Sequence, residues 1–357
     1  MHGIKSVKVK NILCLLLFLF VCVYMALPTH SIPKVKNSTI ITPTPKPVTV
    51  DEPELEGVLY PFSHKLPNFV SEEDKRIFLM QPENKRSMES HWVTSWSWKT
   101  CVETKPMDHA YFKLFGGEIW SFQHFFDNGL PLIWQVRKSF RNLRNIYTYI
   151  EKPRNNIVLE LWKKIGFTNI HFTDKIGHKN HITPCIFPRN SQVRSHPVHV
   201  EMLRSLFTLP TVTKRKIIWI DRKHAAHGRK VTNQNFVLDE LRNRYDVHSF
   251  THCETIKMCL SVFGDAEAIV GVHGGGLYNQ FFASKDTKII EIMPVKHDGL
   301  LHSQGDAQSV PRLAHRAIWH NANNIGQEFY RLHLKTPSAG RFDIDMDTLN
   351  RIDSILK

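Results

Sequence analysis

Four groups of residues in this chain have the side chains or backbone to do chemistry. The first is His273-Gly274-Gly275-Gly276. Three consecutive glycines let a backbone turn sharply and come close to a ligand. A short helix over Leu277 to Ala283 then opens with N–H groups that suit a phosphate. The second is Glu291, at the end of the next apolar run, where a carboxylate can accept hydrogen bonds from ribose hydroxyls. The third is Arg222 and Arg229, whose guanidinium forks match a diphosphate. The fourth is His124 and Asp127, which share one face of a helix at that spacing. An imidazole beside a carboxylate is suited to taking a proton from a hydroxyl.

Each group also has a plainer reading. Three glycines can simply close a βα unit, Arg222 and Arg229 can decorate a solvated loop, and His124 can be a satisfied helix histidine. Two familiar motifs are excluded at the glycine turn. The dinucleotide fingerprint needs G-x-G-x-x-G, which His273-Gly-Gly-Gly-Leu-Tyr278 does not supply. The oxyanion turn of α/β-hydrolases needs a G-x-S-x-G elbow, and no serine here has that context.

These residues need elements to hold them. Ile217 to Ile220 predicts a buried strand ending at Asp221-Arg222, and Asn233 precedes a helical pattern through Phe236, Val237 and Leu241. Tyr245 to Phe250 reads as strand, Glu254 to Phe263 as helix, Ala268 to Val272 as the central strand, and Thr287 to Met293 as the strand bearing Glu291. Alternating strand and helix builds a parallel, Rossmann-like sheet, with Arg222, Arg229 and His273 at one rim. Upstream, Ile146 to Phe187 alternates short apolar runs with one helical run, as in a second α/β unit, and Val198 to Leu206 is helical. His124 and Asp127 lie just before a helix end set by Asn128-Gly129 and Pro131. The tryptophans of His91 to Trp98 alternate as on a strand. Phe342 to Asp347 alternates acidic residues as an exposed strand and helix cap do.

The chain has 357 residues, a net charge of +14, 42% hydrophobic and 22% charged residues, a globular composition with room for two domains. Its basic residues are scattered, so no nucleic-acid stripe is expected and anionic small molecules are the better partner. Lys5, Lys8 and Lys10 precede the apolar run Ile12 to Leu27, which Pro28 ends. This predicts a cytoplasmic tail over 1–10 and a signal-anchor span over 11–27, with the rest lumenal. Residues 28–56 carry six prolines without strand or helix period and form a stem with one glycosylation sequon at Asn37. A boundary near Thr213 to Lys216 divides the remainder into 57–212 and 213–357. Of six cysteines, Cys101, Cys185, Cys253 and Cys259 would be lumenal, with three pairings open. No Cys/His spacing suits zinc, and no metal or cofactor is expected.

Taken together, the chain resembles glycosyltransferase family 61. The likeness runs over roughly 110–350, through Phe122-Gln-His124-Phe-Phe-Asp127 with Leu130-Pro131, Ile217 to Arg222, Arg229-Lys-Val-Thr-Asn233, Gly264 to Asn279 and Ile289-Ile-Glu291-Ile-Met-Pro294. Three departures stand out: Gly275 replaces the alanine of the family's usual HGAG turn, Cys259 replaces a helix glutamine, and no DYD motif is present. The resemblance implies a GT-B-like architecture of two Rossmann-like domains. It implies an inverting transfer, xylose or N-acetylglucosamine, from a UDP-sugar to a glycan or glycoprotein hydroxyl, in the Golgi membrane with type II topology. Asp127 or His124 would be the base. The donor would be held by Arg222, Arg229, Asn233, His273, Gly274, Gly275, Gly276, Leu277, Asn279 and Glu291. The other reading is a non-catalytic lumenal carbohydrate-binding pseudo-enzyme on the same fold.

Overall fold

A computed structural model of the chain describes residues 59–60, 66–80, 92–93, 96–98, 109–111, 122–130, 133–134, 137, 144, 147–150, 153, 155–172, 186–188, 197–210, 212, 216–222, 229–299, 314–338 and 340–357. The expected tail, the span over 11–27, the stem, Asn37, Cys101 and Cys185 lie outside these residues. Among the described residues no helix is long and apolar enough to cross a membrane.

The first half is held by a short parallel sheet. Strand β1 (His109–Tyr111) pairs with β2 (Tyr147–Ile150), which pairs with β3 (Ile170–Phe172). Between β2 and β3 runs helix α2 (Asn156–Ile165), after the earlier helix α1 (Glu72–Met80). Asn155 caps α2 by accepting the Ile157 N–H at 2.8 Å, as a short polar side chain before an apolar-periodic run should. Helix α3 (Pro197–Arg204) follows. The tryptophan run contributes two short strands, Trp92–Val93 and Trp96–Trp98, paired antiparallel with Leu59–Tyr60 and Ile186–Pro188.

The second half is a five-stranded, all-parallel sheet. Its strands are β4 (Lys216–Ile220), β5 (Asp246–Phe250), β6 (Ala268–Val272), β7 (Lys288–Val295) and β8 (Phe329–Lys335), in spatial order β5-β4-β6-β7-β8. Helices α4 (Gln234–Arg242), α5 (Ile256–Phe263) and α6 (Ala314–Ile325) join successive strands, and α7 (Met346–Leu356) closes the chain. The elements expected from periodicity are present, and β8 is an addition. The strands are near-continuous apolar runs because helices cover both sheet faces. One face, with Ile217, Trp219, Val270, Ile290 and Leu332, packs on α4 and α7. The other, with Ile218, Ile220, Ile269, Ile289 and Phe329, packs on α5, α6 and the aromatic side chains of Phe125, Phe126 and Trp162. Glu160 of α2 accepts the Ile256 N–H at 2.7 Å, at the first residue of α5.

The acidic alternation near the C-terminus resolves as expected. Arg341–Phe342 is a short strand, and Asp345 caps α7 by accepting the Thr348 N–H at 2.8 Å. Cys253 and Cys259 are joined in a disulfide.

Candidate functional site

Strand order places the site. The chain enters at β4, moves outward to β5, then crosses back over β4 to β6. The connections leaving β4 and β6 therefore run in opposite directions and leave a crevice beyond their carboxyl ends, where open parallel sheets bind ligands. Arg222 follows β4 and His273 follows β6, so both stand at that crevice.

The glycine turn is shaped by what it touches. The His273 N–H donates to the Ile292 carbonyl at 2.9 Å, extending the β6–β7 ladder by one residue. Arg222 Nη1 donates to the His273 carbonyl at 2.8 Å. A Cβ on Gly274 would lie 1.6 Å from that same Nη1, so only glycine lets Arg222 cross the turn. A Cβ on Gly276 would come within 2.5 Å of Ile220 Cγ2, so this glycine lets the turn lie on the sheet. At Gly275 the nearest atom is Gln123 Oε1 at 3.4 Å, ordinary contact. The absent family alanine is therefore a change this turn has room for.

The segment after the turn is a 3-10 helix, Gly275–Phe282. Leu277 is buried in the core rather than facing the crevice, and Asn279 Nδ2 donates to the Gly276 carbonyl at 2.8 Å, tying down the turn. Asn279 Oδ1 lies 3.7 Å from Cys259 Sγ, where the family has a glutamine. Arg204 closes the far end, donating from Nη1 to the carbonyls of Phe281 at 3.1 Å and Ala283 at 2.8 Å. Burial lowers its pKa from 12.5 to about 10.

Beneath His273 lies a buried charged column. Glu291 sits in register between Gly271 of β6 and Arg331 of β8. Its Oε1 is 2.5 Å from His273 Nδ1, and its Oε2 accepts from Arg331 Nε at 2.7 Å. Glu291 is 0%, Arg331 2% and His273 6% exposed. Burial alone would raise the Glu291 pKa, but Arg331 and His273 outweigh it and hold the carboxyl at about 2. An ionised carboxylate only accepts, so Nδ1 carries the imidazole proton and donates it. Burial lowers the His273 pKa below its usual 6.5, against the pull of Glu291 and with help from Arg229 and Arg331. The ring is therefore neutral near pH 7 in the protein alone.

This corrects the expectation for Glu291. Rather than standing open at the rim toward a ribose, it spends its oxygens inside the protein, because the strand carries it under the turn. Asn233 is likewise a brace: Nδ2 donates to the Ile344 carbonyl at 2.8 Å and Oδ1 accepts the Ile344 N–H at 3.0 Å. It holds the start of α4 to the segment preceding α7.

Arg229 is different. Its φ is +60°, the left-handed region that a branched or long side chain enters at a cost of roughly 1–2 kcal/mol. Its guanidinium is half-buried, electrostatically near Glu291 and Arg222, and among the described residues its Nε is buried without a hydrogen-bond partner, as is Arg222 Nε. Burial, and secondarily Arg229, lowers the Arg222 pKa from 12.5 to about 10. Arg229 thus combines a left-handed backbone with a buried cationic donor that has no partner among the described residues.

The second expected pair approaches from the other side. Phe122–His124 is a helical turn that widens into a π-helix, Phe125–Gly129, with Leu130 N–H bonding back to the Phe125 carbonyl. The helix thus continues through Asn128-Gly129 instead of stopping there, with the extra residue taken up as a π-turn of the kind found at functional sites. Phe126 stacks on Phe281 at 4.1 Å and Phe122 on Phe282 at 6.2 Å, so this turn rides on the 3-10 helix. The Tyr278 hydroxyl donates to Asp127 Oδ2, bringing the carboxylate to the helix that begins at the glycine turn.

Arg331, Tyr278 and Gln123 were not legible as site residues. The one sequence signal for Arg331 is its place in the alternating run Phe329-Tyr-Arg-Leu-His-Leu-Lys335, where a charge occupies an inward position.

The described residues hold no group of three or more His, Cys, Asp or Glu side chains placed to share a metal ion. Comparison with known proteins gives one family match: the glycosyltransferase 61 model fits residues 122–290, a segment that runs from the helical turn at Phe122 to Ile290 of β7, the residue before Glu291. No curated protein matches the chain.

Proposed function

Because residues 122–290 place this chain in the glycosyltransferase 61 family, we propose that it transfers a sugar from a UDP-sugar to a hydroxyl of a glycan or glycoprotein, with inversion. The observation that carries this reading is the pair Arg222 and Arg229, whose buried Nε groups lack partners among the described residues at the crevice between β4 and β6. A diphosphate supplies the acceptors that both forks require. The N–H groups at the start of the 3-10 helix add donors to the same anion.

The mechanism is one displacement. The acceptor oxygen attacks the anomeric carbon, the bond to the diphosphate breaks, and the departing oxygen gains negative charge. Arg222, Arg229 and the turn's N–H groups stabilise that charge, a role otherwise taken by a divalent ion. The proposal is therefore of a metal-independent enzyme. Asp127 is the better base of the expected pair. It lies on the packed turn that faces the glycine loop, and the Tyr278 hydroxyl orients one carboxylate oxygen. His124 is half-buried one turn earlier on the same segment.

Xylose and N-acetylglucosamine are the donors proposed, and a GT-B-like architecture the fold. The Cys253–Cys259 disulfide favours an oxidising compartment. With the apolar run at 11–27, this supports a single-pass Golgi protein whose catalytic part is lumenal.

The test is a thermal-shift and nucleotide-release screen of the full chain against UDP-sugars, with and without EDTA. The expected result is stabilisation by UDP and one UDP-sugar, lost in Arg229→Ala. Release should be insensitive to EDTA. Asp127→Asn should cut transfer by roughly 10²–10⁴-fold while leaving donor binding intact. Donor binding with no transfer to any acceptor, in wild type as in Asp127→Asn, would favour the pseudo-enzyme. No nucleotide binding at all would remove the basis of the reading.

A further inference from the structure

Arg229 lies outside the five-stranded sheet. Directly after it, Lys230–Val231 is a short strand that pairs in parallel with Arg341–Phe342, with Lys230 opposite Arg341 and Val231 opposite Phe342. The Lys230 N–H donates to the Gly340 carbonyl at 2.9 Å, and the Thr232 N–H to the Phe342 carbonyl at 2.9 Å. On the exposed side of this ribbon the Thr232 hydroxyl donates to Asp343 Oδ1. Asn233 closes it against both backbone groups of Ile344, at 2.8 and 3.0 Å. Beneath it, Val231, Phe342 and Ile344 are buried in the cluster that also holds Trp219 and Val270.

The ribbon constrains the backbone at Arg229. The peptide plane joining Arg229 to Lys230 carries the N–H that bonds to Gly340, so a segment far along the chain fixes that plane. Arg229 turns the incoming chain into it at φ +60°, a conformation that a non-glycine residue leaves when nothing holds it. In this conformation its side chain is half-buried and electrostatically near Arg222, His273 and Glu291. The acidic alternation over Phe342 to Asp347 therefore divides its work. Asp345 caps α7, and Asp343 fastens the segment that carries Arg229.

Resting on the donor-site reading above, we infer that segment 340–344 is a positioning clamp for Arg229, in which Asp343, through Thr232, and Asn233, through Ile344, hold Arg229 in the conformation that meets the donor diphosphate. Both act through the backbone. Loosening the clamp lets Arg229 relax to an ordinary conformation, and the donor then binds the fraction of molecules that keep the left-handed one. The cost of that conformation corresponds to a population ratio of roughly 5–30-fold, which bounds the loss of donor affinity. A merely structural tie behaves otherwise: removing an exposed hydrogen bond shifts stability slightly and leaves binding alone. Electrostatics has the opposite sign, because deleting the negative charge of Asp343 by itself favours an anion.

UDP titrations of the full chain by calorimetry test this. The variants are Asp343→Ala, Asp343→Asn, and Asp343→Ala combined with Asn233→Ala. Asparagine keeps an acceptor oxygen for the Thr232 hydroxyl, and alanine does not. UDP affinity is expected to fall severalfold in Asp343→Ala and to approach the roughly 5–30-fold loss in the double variant. It should stay near the wild-type value in Asp343→Asn. The unliganded melting temperature of Asp343→Ala should stay close to that of the wild type. Should the double variant fail to fold, the two variants at Asp343 decide alone. Unchanged UDP affinity in Asp343→Ala, whatever its melting temperature, overturns the inference and leaves the donor site standing. So does an equal loss in Asp343→Asn. Absence of UDP binding by the wild type overturns the donor-site reading itself.

Discussion

Glu291 and Arg331 face each other across neighbouring parallel strands, both buried, with Arg331 Nε donating to Glu291 Oε2 at 2.7 Å. The pair anchors the turn from below, since the other carboxylate oxygen holds His273. Burying two charges is costly, and its sign is revealed by removing one of them. Arg331→Met should destabilise the protein by roughly 3–5 kcal/mol because it leaves the Glu291 carboxylate buried without its guanidinium partner. The double variant Arg331→Met with Glu291→Gln should recover a good part of that loss. Thermal unfolding of the two single variants and the double one, read as a cycle, checks this. Simple additivity would show that the two residues do not act as a pair.

The three glycines of the turn should behave unequally. Gly275→Ala has room and should leave stability and donor affinity within experimental scatter. Gly276→Ala presses on Ile220 and should cost roughly 1–3 kcal/mol, as overpacking does. Gly274→Ala displaces Arg222 from the His273 carbonyl and should weaken UDP binding at least tenfold, about 1.4 kcal/mol. Equal effects at 274 and 275 in a UDP titration would refute the role given to Arg222.

Arg229 should trade stability against binding. Its backbone strain is relieved by glycine but not by alanine. The unliganded melting temperature of Arg229→Gly is expected to match or exceed that of Arg229→Ala, while both lose the UDP-induced shift. A clearly lower melting point for the glycine variant would contradict a strained backbone there.

Acid should loosen the sheet beneath the turn. The Glu291 pKa falls from 4.5 in the unfolded chain to about 2 in the folded one. A depressed carboxylate contributes stability that is present above the unfolded value and is lost as pH falls toward the folded value. The contribution, on the order of 3 kcal/mol, should disappear between about pH 4.5 and 2. His273 adds in the same direction: its lowered folded pKa favours the neutral ring, so stability declines as pH falls below its unfolded value of 6.5. Urea midpoints measured from pH 7 to 3 should fall less steeply in Glu291→Gln than in the wild type.

The primary sequence determined four of the five strands of the second-half sheet, all but β8. Ile217 to Ile220 and Ala268 to Val272 are unbroken apolar runs, and Thr287 to Met293 is apolar but for Thr287, Lys288 and Glu291, as strands covered on both faces tend to be. It also determined the glycine turn, the cap at Asp345, and the family likeness, since those depend on local spacing. It did not determine which side chains meet. Glu291 and Asn233 read as ligand contacts, because a polar residue near a strand or helix end looks the same whether its partner is a ribose or the protein. Only the strand order β5-β4-β6-β7-β8, which carries no local signal, set Arg331 beside Glu291 and Arg222 across from His273. Only packing between Phe126 and Phe281 brought Asp127 to Tyr278, residues far apart in the chain. Local periodicity fixes elements because backbone geometry is local; the site belongs to tertiary structure because its contacts are not.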